Sequence, residues 1–144
     1  MFSKACEYGI KACVYIAMQS AEGQRVSLQD IAKYTDSPVA FTAKILHQLS
    51  KNEILESLRG PKGGFIITPE KNETIKLADI VKAIDGDSIY MGCALGFGQC
   101  DATQPCPMHE RFVQIRTDLK NMLENTTLNE LATEFKVGTT FLRR

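Results

Sequence analysis

Residues 27–69 read SLQDIAKYTDSPVAFTAKILHQLSKNEILESLRGPKGGFIITP, and this stretch decides the fold. Its first part predicts two short helices that are separated by a tight turn. The pair Ser27 and Asp30 is typical of a capped helix start. Ser37 followed by Pro38 predicts the start of the second helix, because proline is tolerated in a first turn. Two short helices joined by a tight turn are typical of a helix-turn-helix.

The second of these helices has two distinct faces at helical spacing. The inward positions are Thr42, Ile45, Leu46 and Leu49. The outward positions are Ala40, Ala43, Lys44 and His47. Small residues and a lysine on the outward face suit a recognition helix that lies in the major groove of DNA. The residues that we expect to face the groove are Ser37, Ala40, Ala43 and Lys44.

The end of the quoted stretch predicts a β-hairpin, with strands over residues 54–58 and 65–68. The connection between them, RGPKGG, is basic and rich in glycine. A basic hairpin directly after a helix-turn-helix is typical of the wing of a winged helix. We expect Arg59 and Lys62 to reach the adjacent groove or the DNA backbone.

Helices on either side of this stretch complete the predicted core. A helix over residues 3–19 has an apolar stripe in which Cys6 and Cys13 are interpreted as buried thiols. A further helix is predicted within residues 74–86, which read TIKLADIVKAIDG. Thr127 and Glu130 predict a capped final helix.

A long helix is predicted from Pro107 onward. Its apolar stripe consists of Phe112, Ile115, Leu119, Met122 and Leu123. The polar positions off this stripe include Arg111, Arg116, Asp118 and Lys120. Because little of the domain is left for such a helix to pack on, it is interpreted as a dimerisation helix. The alternative is that it folds back onto the first helix of its own chain.

Between the predicted helices lies a glycine-rich loop that contains Cys93, Cys100 and Cys106, with His109 three residues later. Zinc sites usually contain cysteines paired two to four residues apart, and this spacing is absent here. A wider spacing suits an iron–sulfur cluster, around which a loop can wrap. The fourth ligand would be His109 or a carboxylate from a dimer partner. A single zinc ion and disulfide chemistry without metal are the alternatives.

The composition limits the functional classes. The 17 basic and 17 acidic residues give a net charge of zero, so DNA binding depends on pattern and not on a bulk positive charge. Charged residues interrupt the first segment, and no apolar run approaches the ~20 residues that span a bilayer. We therefore expect a cytoplasmic protein with reduced thiols and no membrane partner. Nothing near the cysteines is typical of a catalytic site, so the chain is not expected to be an enzyme.

These motifs resemble those of the Rrf2 family of bacterial winged-helix regulators, which includes IscR, NsrR and RirA. The matching segments are YGIKACVYIA, SLQDIA, ILHQLSKNEILESLRGPKGGFIITP, IKLADIVKAIDG, the three-cysteine loop and TTLNELATE. The resemblance implies a homodimer that binds a palindromic operator in double-stranded DNA. It also implies a [2Fe-2S] or [4Fe-4S] cluster that controls the affinity for this operator.

The resemblance assigns roles to individual positions. Cys93, Cys100 and Cys106 match the cluster ligands, and His109 matches a histidine that completes the set in some members. Glu7 falls where other members have an acidic ligand donated by the second subunit. Arg59 matches a wing arginine that enters the minor groove. The gap between the first two cysteines is one residue longer than in many members, and Ala43 replaces a polar residue of the usual recognition helix.

The predicted fold is mainly α with a small β-hairpin wing: a winged helix-turn-helix domain followed by a long dimerisation helix. The expected division is 1–70 for DNA binding, 71–90 for a connecting helix, 91–108 for the cysteine loop and 109–144 for dimerisation and the C-terminal segment. The predicted function is a transcriptional repressor controlled by a cluster that senses nitric oxide, redox or iron–sulfur status. The alternative is a winged-helix regulator that is a thiol redox switch or is stabilised by zinc.

Overall fold

The computed structural model describes residues 1–137, so the last seven residues of the expected segment 109–144 lie outside the described part of the chain. The elements in chain order are α1 (Lys4–Ala21), α2 (Leu28–Thr35), α3 (Val39–Lys51), β1 (Glu56–Leu58), β2 (Gly64–Ile66), α4 (Pro69–Thr74), α5 (Leu77–Asp85), α6 (Ser88–Met91), α7 (His109–Asn125) and α8 (Leu128–Val137). This order confirms the predicted fold class, mainly helical with one antiparallel hairpin.

The first helix of the helix-turn-helix begins where the sequence predicts. The Ser27 hydroxyl accepts a hydrogen bond from the Asp30 backbone N–H at 3.1 Å, and the Asp30 carboxylate accepts one from the Ser27 backbone N–H at 3.5 Å. This reciprocal capping satisfies two N–H groups that the first turn leaves unpaired. Asp36 ends the helix in a left-handed conformation with φ of 53°. The tight turn between α2 and α3 is therefore confirmed.

The predicted start of the second helix is wrong at Ser37. Helix α3 begins at Val39, and Pro38 precedes it without any side-chain cap. The Ser37 hydroxyl lies within hydrogen-bonding distance of the hydroxyls of Thr35 and Thr42, which are both buried. The Ser37 hydroxyl therefore forms hydrogen bonds inside the turn and does not cap the first turn of α3.

The core is built around α1, on which α2, α3, α5 and α8 pack. The residues of these helices that are at most 2% exposed include Ile16, Ile31, Ile45, Leu46 and Leu49. Cys6 and Cys13 are both fully buried, which confirms their interpretation as core thiols. Burial raises the pKa of both thiols, that of Cys6 to about 12. Both side chains therefore stay protonated and act as small apolar groups.

The wing is shorter than predicted. Strands β1 and β2 pair antiparallel with Ser57 opposite Phe65. Ile54 and Leu55 are consecutive buried residues, so they pack into the core before the alternating strand pattern begins. Ile67 lies beyond the paired region, and its backbone N–H donates to the Ser20 hydroxyl at 3.0 Å.

The segment expected as a single connecting helix, residues 71–90, contains the end of α4, all of α5 and most of α6. Helix α4 was not predicted, although Thr68 caps it by accepting from the Lys71 backbone N–H at 3.3 Å. Thr68 is the last residue of the predicted second strand, whereas in the structure it caps α4. The buried face of α5 includes Ile80 and Val81, which are at most 1% exposed.

The chain returns to the first helix after α7. Thr127 accepts a hydrogen bond from the Glu130 backbone N–H at 3.1 Å, as predicted for the start of α8. Helix α8 packs on α1 and α4, whereas α7 packs on α5 and α6. Leu123, near the end of α7, is fully buried with Cys6 and Val81. Helix α7 is thereby fixed to the core at one end.

Candidate DNA-binding surface and cysteine loop

The predicted recognition helix separates into the two faces that the sequence indicates. Thr42, Ile45, Leu46 and Leu49 are buried, which confirms the inward set. Ala40, Lys44 and His47 are exposed, and Ala43 is half-buried. Of the four residues expected to face DNA, Ser37 is the least available, because its hydroxyl is held by Thr35 and Thr42.

The tip of the wing carries free cationic side chains. Arg59 and Lys62 are exposed, and within residues 1–137 neither side chain forms an ion pair or a hydrogen bond. Gly63 is required by close packing, because a Cβ atom there would lie 2.2 Å from the Leu58 carbonyl oxygen. The tight turn therefore presents both cations at the end of a constrained hairpin.

Arg25 is a third cation at the wing that the sequence analysis missed. Its guanidinium donates a hydrogen bond to the Lys62 carbonyl oxygen at 2.7 Å. The neighbouring residue Val26 pairs with Phe65 as an isolated bridge beside β2. In the sequence, the signal for this contact is a basic residue next to an apolar one, just before the cap of α2. The strand β2 that Val26 pairs with lies about forty residues later.

The cysteine loop is a small closed hairpin between α6 and α7. The backbone N–H of Cys93 donates to the Gly98 carbonyl at 2.8 Å, and that of Cys100 donates to the Met91 carbonyl at 3.2 Å. Gly96 and Gly98 have φ of 82° and 90°, conformations that favour glycine. Gly92 differs, because it is extended with φ of −75°.

The four candidate ligands of the loop lie in two pairs. The Cys100 sulfur is 3.2 Å from Nδ1 of His109, at the start of α7. The Cys106 side chain lies near that of Cys93 and is one of the weaker influences that lower the pKa of the Cys93 thiol. The three thiols are free and half-buried. The backbone N–H groups of Phe97 and Leu95 lower the pKa of the Cys93 thiol from its ordinary value.

Arg116 holds this loop against α7. Its Nη1 donates to the Gly92 carbonyl oxygen at 2.9 Å, and its Nη2 donates to the Cys100 sulfur, also at 2.9 Å. By its spacing in the sequence, Arg116 lies off the apolar stripe of α7, on its polar side. The structure instead places it half-buried, in contact with residues that are 16 and 24 positions earlier. In the sequence, the signal for this contact is that Arg116 follows His109 by seven residues. Seven residues are two helical turns, so both side chains lie on the same face of α7.

Glu7 lies apart from these contacts. Its carboxylate is 3.0 Å from Lys4 Nζ on α1, and its side chain is 40% exposed. In residues 1–137, no group of three or more histidine, cysteine or acidic side chains surrounds a single point. The described arrangement is therefore two pairs of donors in one loop, and it is not a tetrahedral site for one ion.

The helix-turn-helix, the basic wing and the long α7 define the class of winged-helix transcriptional regulators. The chain matches the Rrf2 family, described as iron-dependent transcriptional regulators, over residues 2–134. It therefore belongs to the Rrf2 family, whose members regulate transcription and are not enzymes. Within residues 1–137, no helix has both the length and the apolar character needed to cross a membrane.

Named proteins agree with this assignment. The HTH-type transcriptional regulator IscR of Escherichia coli is 27% identical over 130 residues, which is 90% of this chain and 78% of IscR. The structure of CymR, the global cysteine regulator of B. subtilis, matches with a TM-score of 0.75 and 22% identity, covering 92% of this chain and 96% of CymR. IscR of T. potens matches with a TM-score of 0.72 and 18% identity, covering 99% and 93% of the two chains. These two structures support the fold.

Proposed function

We propose that this protein is a homodimeric repressor whose affinity for a palindromic operator is controlled by an iron–sulfur cluster in the cysteine loop. The observation that carries the proposal is that one loop holds three half-buried thiols and contacts α7 through His109 and Arg116. The cluster responds to nitric oxide, redox or iron–sulfur status. The protein acts in the cytoplasm, where its operator lies.

The surface around α3 supports operator binding. Ala40 and Lys44 are exposed on α3, so its outer face can approach base edges closely. Arg59 and Lys62 on the wing reach the adjacent groove or phosphates. Two such surfaces in a symmetric dimer meet half-sites about 34–36 Å apart, or a multiple of this spacing.

The exposed part of α7 supports a homodimer. Leu123 is fully buried within its own chain, and Phe112 and Leu119 are half-buried. Ile115 and Met122, from the same predicted stripe, are 56% and 53% exposed. A second copy of α7 would cover these two side chains, because a symmetric interface places the same patch on both subunits.

The loop fits a cluster better than a single ion. Two separated donor pairs suit an object with two or more iron atoms, whereas structural zinc requires four ligands around one point. Cys93, Cys100 and Cys106 would hold the cluster, with His109, or Glu7 of the partner subunit, as the fourth ligand. The proposal covers [2Fe-2S] and [4Fe-4S] clusters. When bound, the cluster supplies one-electron redox chemistry and reactivity toward nitric oxide.

A thiol redox switch is the second candidate function, favoured by the position of Cys106 near the Cys93 thiol, whose pKa is lowered. In this case the two thiols form a disulfide and lose two protons and two electrons. Hydrogen peroxide would accept them and be reduced to two molecules of water, or an alkyl hydroperoxide would be reduced to an alcohol and water. Such a switch requires no iron.

The deciding experiment is an anaerobic purification followed by a visible spectrum and assays of iron, sulfide and zinc on one sample. Operator binding is then compared between the cluster-loaded and the metal-free protein. Coloured protein with matching iron and sulfide, and an operator affinity that changes on cluster loss, is the expected result. Colourless protein that stays free of iron after reconstitution, with a reversible disulfide between Cys93 and Cys106, would replace the cluster by the thiol switch. Stoichiometric zinc without iron would indicate a zinc-stabilised regulator.

A further inference from the structure

Two residues of α7 enclose one sulfur atom. His109 and Arg116 are seven residues apart, which is two helical turns, so they lie on the same face of α7. Nδ1 of His109 is 3.2 Å from the Cys100 sulfur, and Nη2 of Arg116 is 2.9 Å from it. The sulfur of Cys100 is thus attached to α7 by two contacts.

Arg116 also binds the other end of the same hairpin. Gly92, whose carbonyl oxygen accepts from Nη1 at 2.9 Å, stands opposite Gln99 in an isolated bridge. One guanidinium therefore spans both sides of the hairpin where it closes. A planar group with fixed donors can hold two acceptors in this way, whereas a single ammonium has no such geometry.

The strength of the bond to sulfur depends on the state of Cys100. Arginine stays cationic at all relevant pH values, so it donates most strongly to a sulfur that carries negative charge. A thiolate that ligates iron retains such charge. Hydrogen bonds to cluster sulfurs are also among the factors that set cluster reduction potentials.

We infer that Arg116 is a positioning residue that fastens the cysteine loop to α7 through Cys100, and that loss of the cluster is transmitted to α7 by this contact. The first half stands on the described contacts alone, and the second half rests on the proposed function. Arg116 does not ligate the metal. It orients a ligand and joins that ligand to the helix whose exposed face is proposed to form the dimer.

The first test uses the metal-free protein, so it does not depend on a cluster. Arg116→Gln is compared with Arg111→Gln, which removes an arginine from an exposed position of the same helix. Hydrogen–deuterium exchange is followed in peptides that cover residues 88–106. The amides of Cys93, Gly96 and Cys100, which are hydrogen-bonded within the hairpin, should exchange several-fold faster in the Arg116 variant only. Equal exchange in both variants would overturn the attachment.

The second test uses the cluster-loaded protein. Loss of the N–H···S bond should shift the reduction equilibrium toward the oxidised cluster by about tenfold. For a one-electron couple, this corresponds to a reduction potential that is about 59 mV lower. The ratio of operator affinities with and without cluster should also move toward one. Arg116→Lys should restore only part of either value. An unchanged potential and ratio in Arg116→Gln would refute the transmission. Wild-type protein without iron would refute the cluster and the transmission together, while the exchange test would still decide the attachment.

Discussion

Nδ1 of His109 lies 3.2 Å from the sulfur of Cys100, although nine residues separate them in the chain. The start of α7 brings this imidazole to the closing end of the cysteine hairpin. Neutral imidazole and thiolate are both good ligands for iron. The pair would therefore suit two of the ligands of the proposed iron–sulfur cluster.

If the proposed cluster is present, His109→Ala should shorten its lifetime. Removal of a ligand, or of a group that supports one, typically weakens metal binding by about 10–100-fold. The measurement is the decay of visible absorption after air is admitted to anaerobically prepared protein. His47→Ala is the matched control, because His47 is the other histidine of the chain and lies exposed on α3. Equal decay in the two variants would exclude His109 from the ligand set.

The two wing cations should have different effects on DNA binding. Arg59→Ala should weaken specific operator binding by about 1–3 kcal/mol if this side chain contacts bases in the groove. Lys62→Ala should reduce the slope of log affinity against log salt by about 1, because it removes a phosphate contact. The Lys62 carbonyl that accepts from Arg25 is kept in this variant. The measurement is fluorescence anisotropy on one operator at several salt concentrations.

Arg111→Ala controls for the loss of one positive charge, because Arg111 is exposed on α7 and away from the wing. It should leave both affinity and salt slope close to wild type. If Arg59→Ala matches this control on specific and random DNA, the wing does not contribute to sequence recognition.

Adjacent residues of α7 should have opposite roles. Leu123→Ala should cost about 2–5 kcal/mol of the free energy of unfolding, because Leu123 is fully buried beside Cys6 and Val81. Met122→Ala should change the stability of the monomer by less than about 0.5 kcal/mol, since Met122 is 53% exposed. It should instead weaken self-association.

Urea unfolding and analytical ultracentrifugation at several protein concentrations separate these effects. The stability of a dimer depends on concentration, so the loss in Leu123→Ala should persist at the lowest concentration. Unchanged self-association in both Met122→Ala and Ile115→Ser would show that this face of α7 is not the dimer interface.

The parts of the fold that depend on local sequence patterns could be predicted from the sequence. The inward face of α3 follows from the spacing of Thr42, Ile45, Leu46 and Leu49, and each of these is buried. The cap at Thr127 follows from the spacing of Thr127 and Glu130, because a threonine three residues before a glutamate can accept a hydrogen bond from its backbone N–H. Such features depend on neighbours within one or two turns, so they can be predicted without information about the tertiary structure.

The features that the sequence could not reveal depend on distant partners. Arg116 contacts Cys100 and Gly92 only because α7 crosses the end of α6. Ser37 differs, because its partners Thr35 and Thr42 are only two and five residues away in the chain. Its local pattern fits both a helix cap and a hydrogen bond inside the turn, and the burial of the two threonine hydroxyls decides between them.

The stability of the protein should fall at alkaline pH partly because of Cys6. Burial, followed by the nearby Asp85 carboxylate, raises the pKa of this thiol to about 12 in the folded chain. An unfolded cysteine has a pKa of about 8.5. The folded state therefore favours the protonated thiol, and the contribution is complete below about pH 8.5 and is lost as the pH rises toward the folded value. The free energy of unfolding should thus decrease above about pH 8.5.

Cys6→Ala isolates this effect. Urea unfolding is measured at pH values on both sides of the thiol pKa, without oxygen and in the presence of a reductant. The alanine variant should be less stable at neutral pH, because it leaves a small cavity, but its stability should fall less steeply as the pH rises. Cys93→Ala is the control, since Cys93 is half-buried and its thiol pKa is lowered. A decline in Cys6→Ala as steep as that of the wild type would mean that Cys6 ionises as readily in the folded chain as in the unfolded chain.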